Sequence, residues 1–152
     1  MKPIPAHKQA VGWLAAAIVA VGAFEGYSAF AYPDIIGVPT ICYGETKGVK
    51  LGDYSTKEQC DEKLAKRLSE FNSGVNRCLH SAPLTDNQRI AFVSLAYNVG
   101  VPAFCASSIP KRIAAGDIAG ACNTIMDFNG VCVQRNTTGK CIKKKVIQDY
   151  TY

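Results

Sequence analysis

The chain has 152 residues, of which 48% are apolar and 19% charged. That is room for one compact domain, and the composition excludes a disordered or collagen-like polymer. Seventeen Lys+Arg against twelve Asp+Glu leave a net charge of +5, which suits an anionic polymer or a membrane surface and gives no reason to expect nucleic acid as a partner.

Seven cysteines, at positions 42, 60, 78, 105, 122, 132 and 141, point to an oxidising compartment. The odd count leaves at least one thiol without a partner in the chain.

The N-terminus carries much of the apolar content. Of the first 32 residues, 21 are apolar. From Ala10 to Phe24 no side chain is charged, and Lys2 and Lys8 precede the run. A basic leader before an apolar centre is the form of an export signal or of an anchor with its N-terminus inside. The run is 15 residues long and holds six Ala and two Gly, whereas a bilayer core takes roughly 20 residues. Extending it to Tyr32 brings Glu25 inside, and a central carboxylate costs about 2.5–3.5 kcal/mol on insertion scales. Such a segment enters a membrane with difficulty and is able to leave it. Three readings stand: a signal peptide cut after Ala29-Phe30-Ala31, a buried helix of a cytosolic protein, and an uncleaved, releasable anchor.

Beyond it, Tyr32 to Gly48 reads as extended chain broken by turns at Pro33, Gly37, Pro39 and Gly44. Ser55-Thr56-Lys57-Glu58 has the form of a capping box. Cys60, Leu64, Leu68, Phe71 and Val75 follow at helical steps and predict a long helix with one apolar face. Thr85-Asp86-Asn87-Gln88 opens a second helix, which ends near Asn98-Val99-Gly100. A short helix fits Ser108 to Ala115, with Pro110 near its start and Gly116 as its stop. Asp117 can cap another through Ile125 and Met126. Val131 to Ile142 predicts a hairpin around Asn136-Thr137, with Cys132 and Cys141 as cross-strand neighbours and a plausible disulfide. The whole is an α+β plan.

Three residues carry candidate chemistry. Glu25 ends the apolar run, where the negative end of a helix dipole and burial beside Phe24 both favour a protonated carboxyl, as a general acid requires. Asp34 and Thr40 sit symmetrically about Gly37, so a turn centred there makes them face each other across a hairpin. A carboxylate with a neighbouring hydroxyl can hold and activate a water. One acid, one base and a water are the equipment of an inverting glycoside hydrolase.

The Glu-x8-Asp-x5-Thr spacing, with Gly-Val-Pro-Thr-Ile-Cys-Tyr-Gly (37–44), Pro83-Leu84-Thr85, Asn87-Gln88 and Ala96-Tyr97-Asn98-Val99-Gly100, resembles the phage T4-type lysozymes, glycoside hydrolase family 24. The resemblance covers roughly Phe24 to Met126. It implies a lysozyme-like fold, a small β lobe beside a helical lobe with the substrate cleft between. It implies hydrolysis of the β-1,4 bond between N-acetylmuramic acid and N-acetylglucosamine in peptidoglycan. Glu25 would be the acid, with Asp34 and Thr40 positioning the water, and Gly44, Phe104 and Ser107 would belong to the substrate-binding surface. No cofactor or metal is implied, and His7, His80 and the cysteines offer no zinc spacing.

A weak apolar segment leading straight into the acid resembles the signal-anchor-release endolysins. On that reading residues 1–24 are the anchor and 25–152 the lysozyme domain. Residues 10–24 hold the enzyme in the host inner membrane after delivery by the host secretion machinery, with the N-terminus cytoplasmic. Release to the periplasm then yields an active monomer. A cut after Ala31 would remove Glu25 and destroy the enzyme.

The sequence departs from the family in two places. Glu45 stands where the family carries a His five residues after the Thr. After the hairpin, Lys143-Lys144-Lys145 and a short tail replace a helix bearing an arginine pair expected to neighbour Glu25. The domain is thus expected to lack the family's last helix, and an inactive relic that keeps a peptidoglycan-binding fold is the alternative.

Overall fold

A computed structural model describes residues 12–128, 130–138 and 141–146. The leader residues Lys2 and Lys8 lie outside the described residues. The elements in order are α1 (Gly12–Glu25), β1 (Ser28–Pro33), β2 (Pro39–Cys42), α2 (Lys57–Cys78), α3 (Asp86–Val99), α4 (Val101–Ala106), α5 (Ile109–Ala114), α6 (Ile118–Thr124), a 3₁₀ turn (Ile125–Phe128), β3 (Gly130–Arg135) and β4 (Cys141–Val146).

The apolar N-terminal run forms α1, which packs on α2 and α3. Ala17 and Val21 are buried, while Val19 is 73% exposed and Phe24 53%. A helix that is apolar all round is normally covered all round; this one is covered on a single side. The boundary expected between residues 24 and 25 therefore falls inside one helix that belongs to the helical lobe. Among the described residues no helix is long and apolar enough to cross a membrane.

α2 buries Cys60, Leu64, Leu68 and Val75, the face its spacing predicts, with Phe71 partly covered. Its cap sits one residue later than expected. Thr56 accepts from the Gln59 N–H, and the Gln59 side chain accepts from the Thr56 N–H. Glu58 has the right type but the wrong offset for that reciprocal pair. The second box forms as read, between Thr85 and Gln88, and α3 stops at Gly100 with φ +88°. Asp117 caps α6 through the Gly120 N–H. That helix ends at Thr124, and the 3₁₀ turn takes up Ile125 and Met126.

The β1–β2 hairpin is antiparallel, with Tyr32 opposite Thr40 and Pro33 opposite Pro39. Its centre is therefore Ile36 rather than Gly37. Asp34 stands against Val38, with which it shares a backbone hydrogen bond of 2.9 Å, and Thr40 is its diagonal neighbour. The 53–55 segment lies along the other edge of β1, through Ala31 N–H to Asp53 O and Ser55 N–H to Ala29 O, both 2.9 Å.

The Cys42–Cys60 disulfide joins this lobe to the first turn of α2, and Cys78–Cys105 joins the end of α2 to α4. Gly74 lets α2 and α4 approach closely, since a Cβ there would meet Val101 at 2.7 Å. The β3–β4 hairpin forms at the expected place, but its bulged register sets Cys132 opposite Lys144 and Cys141 opposite Arg135. Backbone bulges shift one strand past the other, so the two cysteines are not directly opposed. Cys122 is a free thiol, half-buried in α6.

Candidate active site

Glu25 is the last residue of α1, and the chain turns away at Gly26 with φ +75°. Its half-buried carboxyl opens into a cavity of about 240 Å³ lined by Gly44, Glu45, Arg67, Phe71, Tyr97 and Asn98, among others. Burial holds the Glu25 carboxyl above its usual pKa, because desolvation disfavours the charged form. Gly44 stands beside it at φ +88°, a backbone conformation that favours glycine, and a Cβ there would be in ordinary van der Waals contact with Glu25 Oε2 at 3.6 Å. Gly44 thus shares the cavity lining with Glu25.

Tyr97 forms the floor. Its hydroxyl donates to the Tyr43 carbonyl at 3.0 Å, and its ring meets Phe71 edge-on at 5.4 Å. Burial first, then the charges of Glu25 and Glu45, push its pKa up to about 12, with Arg67 opposing. The phenol therefore stays neutral and acts as a fixed donor.

The cation of this cavity comes from α2. Arg67 lies over Phe71 at 5.1 Å and donates to Glu70 at 2.9 Å. The sequence contains no arginine pair in the tail, but the cleft still has a guanidinium. Position 67 alone gives no hint of it, because it reads as one of several solvated charges on a long helix. Tyr97 and Asn98 lie in the stretch that resembles the family, yet no spacing rule marks them as cleft residues. Glu45, visible only as a departure, is in the wall.

Asp34 and Thr40 form a second group, joined through Val38. Asp34 Oδ1 accepts from the Ile36 and Val38 N–H groups at 2.9 and 2.8 Å, and buried Thr40 donates through Oγ1 to the Val38 carbonyl at 2.9 Å. The carboxylate thus holds the turn with one oxygen. Neither side chain lines the Glu25 cavity.

Two expected cleft residues are elsewhere. Phe104 is fully buried and meets Phe92 edge-on at 6.1 Å, a core contact that leaves no surface for substrate. Ser107 donates to the Phe104 carbonyl at 2.6 Å and accepts from the Ile109 N–H at 3.2 Å, so it caps the corner between α4 and α5. Among the described residues no cluster of His, Cys, Asp or Glu could hold a metal.

Tyr43 fastens the cavity from behind. Its hydroxyl donates to Asp61 at 2.5 Å and accepts from Lys57 at 2.7 Å, its ring meets Tyr27 at 5.6 Å, and Gly22 of α1 lies against it. The hydrogen bond with Tyr43 leads in holding the Asp61 carboxyl below its usual pKa, and the same hydroxyl leads in raising Lys57.

The phage lysozyme family model matches residues 22–144. The chain belongs to the phage lysozyme family. The match begins within α1, three residues before Glu25, and runs into β4, so it takes in both lobes and the β3–β4 hairpin. The SAR-endolysin of Pseudomonas phage phiKMV is 39% identical over 120 residues, 79% of this chain and 74% of that protein. Among solved structures, the endolysin from Escherichia coli O157:H7 phage FAHEc1 superposes with a TM-score of 0.73 at 33% identity, covering 86% of this chain and 80% of that one. The muramidase domain of SpmX from Asticaccaulis excentricus superposes at 0.71 with 29% identity, covering 87% and 84%. The family's two-lobed architecture is the one described above: a β1–β2 lobe joined to a helical lobe, with the Glu25 cavity where they meet.

Proposed function

We propose that the protein is an endolysin, an N-acetylmuramidase that cleaves the β-1,4 bond between N-acetylmuramic acid and N-acetylglucosamine in bacterial peptidoglycan. One observation carries the reading. A carboxyl at the end of α1, its pKa raised by burial, opens into a cleft between the lobes. Glu25 donates its proton to the glycosidic oxygen as the bond breaks. Asp34 acts as the base on a water at the opposite face of the sugar, and Thr40 holds the turn that carries it. The inverting course needs room for that water between the two carboxyls. The inactive-relic alternative has no observation in its favour among the described residues.

The same reading places the protein in the cell. Residues 10–24 act as a releasable anchor in the host inner membrane, reached through the host secretion machinery with the N-terminus cytoplasmic. While they are embedded, Glu25 is held at the bilayer and the cleft cannot assemble. After release, α1 docks on α2 and α3 and the protein acts in the periplasm as a monomer. The name of the phiKMV relative and the one-sided burial of α1 support this.

The test is turbidity loss of outer-membrane-permeabilised Gram-negative cells. The wild-type chain is expected to clear them, and Glu25→Gln to clear them 10²–10⁴-fold more slowly, the usual contribution of a general acid. Equal clearing by the two would overturn the mechanism.

A further inference from the structure

Gly22 stands inside α1, three residues before Glu25, so the two occupy neighbouring positions on the helix surface. Glycine is the poorest helix former after proline, and at this position it has a steric reason. A Cβ on Gly22 would meet Cε1 of the Tyr43 ring at 3.0 Å and Cδ1 at 3.5 Å. The absent side chain is a notch that seats the ring against α1. Gly12, the other glycine of this helix, has nothing within 4 Å of the same point.

The ring is held in the notch by its hydroxyl. A cavity of about 340 Å³ beside it, lined by Val19, Ala23 and Tyr27 among others, leaves it room to swing. Asp61 and Lys57, paired with each other at 3.0 Å at the start of α2, fix the hydroxyl from one side. The Tyr43 carbonyl takes the Tyr97 hydroxyl of α3, and the next residue, Gly44, stands beside Glu25 Oε2. The three helices that surround the acid thus meet at one residue. Tyr43 does not line the Glu25 cavity, so any effect it has on the chemistry passes through Glu25.

We propose that Tyr43 is a positioning residue for the general acid: seated in the Gly22 notch and held by Asp61 and Lys57, it sets where the end of α1 comes to rest and so where the Glu25 carboxyl stands in the cleft. The inference rests on the muramidase reading. Catalysis is sensitive to such placement, since a displacement of about 1 Å can cost 10²-fold.

The experiment compares purified Gly22→Ala, Tyr43→Leu and Tyr43→Phe with Arg89→Met. The last cuts a contact at the far end of the same helix, where the Arg89 guanidinium lies 5.9 Å from the Trp13 ring. Gly22→Ala and Tyr43→Leu are expected to lower kcat on sacculi about ten- to 10²-fold with KM unchanged. The basic limb of kcat/KM should move to lower pH, because a displaced carboxyl gains water. Tyr43→Phe keeps the ring in the notch and should lose less than Tyr43→Leu. Gly22→Ala/Tyr43→Leu should lose no more than the worse of its two single variants, since both act through one contact. Arg89→Met should lower Tm and leave kcat and the basic limb alone. Glu45, Arg67 and Tyr97, the charged and titratable groups that share the cavity with Glu25, are the same in every variant.

If Gly22→Ala and Tyr43→Leu lower only Tm, as Arg89→Met does, Tyr43 is a packing residue and the proposal is overturned. Should Gly22→Ala not fold, the Tyr43 variants decide: wild-type kcat in Tyr43→Leu overturns it equally. Titration of the Glu25 carboxyl by NMR gives the same comparison without turnover. Its pKa should fall in Gly22→Ala and Tyr43→Leu and stay in place in Arg89→Met. A wild-type chain that shows this split and no hydrolysis would count against the muramidase reading alone.

Discussion

Glu25 is placed so that its chemistry and its stability oppose each other. Burial raises its pKa in the folded protein. Between the unfolded and folded pKa values the native state binds more protons than the unfolded state, so stability falls as pH rises through that window and stays lower above it. Glu25→Gln removes the penalty. Its Tm should exceed that of wild type at pH above the folded pKa and match it in acid, a difference read by thermal melts across pH, while lytic activity is lost. In the wild type, the basic limb of kcat/KM should follow Glu25, since the acid must carry its proton. Asp34 separates charge from scaffold more cleanly. Both turn N–H groups are accepted by Oδ1, and an amide carbonyl can keep those bonds while losing the charge. Asp34→Asn should therefore lower kcat 10²-fold or more and leave the Tm almost unchanged. A Tm loss that tracked the activity loss would make Asp34 a turn residue and nothing more.

Among the elements, the helices were legible in the sequence because their signals are local. Caps at Thr85 and Asp117, the stop at Gly100 and the apolar face of α2 all depend on residues a few positions apart. α4 is not legible: it is as short as α5 but has no glycine stop such as Gly116 after it, and the Pro102 near its start marks a turn equally well. The centre of the β1–β2 turn is one residue from Gly37, the obvious turn residue. The pairing therefore differs by two residues and sets Asp34 against Val38 instead of Thr40. Glu25, Asp34 and Thr40 stand out through their spacing, but the cavity at Glu25 is assembled from residues 44–46, α2 and α3. Arg67 and Tyr97 come together with Glu25 only through tertiary packing. Phe104 and Ser107 belonged to a matching stretch whose role is to build the core and the α4–α5 corner.

The disulfides govern how the elements hold the site. Cys42–Cys60 closes an 18-residue separation, two residues before Gly44. Cross-linking a loop of that size contributes about 3 kcal/mol through the unfolded state. Cys42→Ala/Cys60→Ala should lose about that much in denaturant melts, and its activity should fall further than its stability under conditions where it remains folded, because β2 then loses its tie to α2.

For the molecule as a whole, the proposed anchor role asks one segment to serve two environments. α1 is apolar on its solvent side. Val19 lies on that side, 73% exposed, near the middle of the 15-residue uncharged run. A lysine at an exposed helix position changes stability by no more than about 0.5 kcal/mol. The same lysine at the centre of an inserting helix costs about 2.5–3.5 kcal/mol, and the run, rich in Ala, has few large side chains to offset it. Val19→Lys thus separates the two states. The purified variant should melt within a few degrees of wild type and clear permeabilised cells at a similar rate. Expressed in cells, it should no longer fractionate with the inner membrane, and lysis from within should be lost. If Val19→Lys still sediments with membranes as wild type does, residues 10–24 are not what holds the protein there. If the variant fails to fold, the exposed face of α1 is required within the domain, and its apolar character owes nothing to a bilayer.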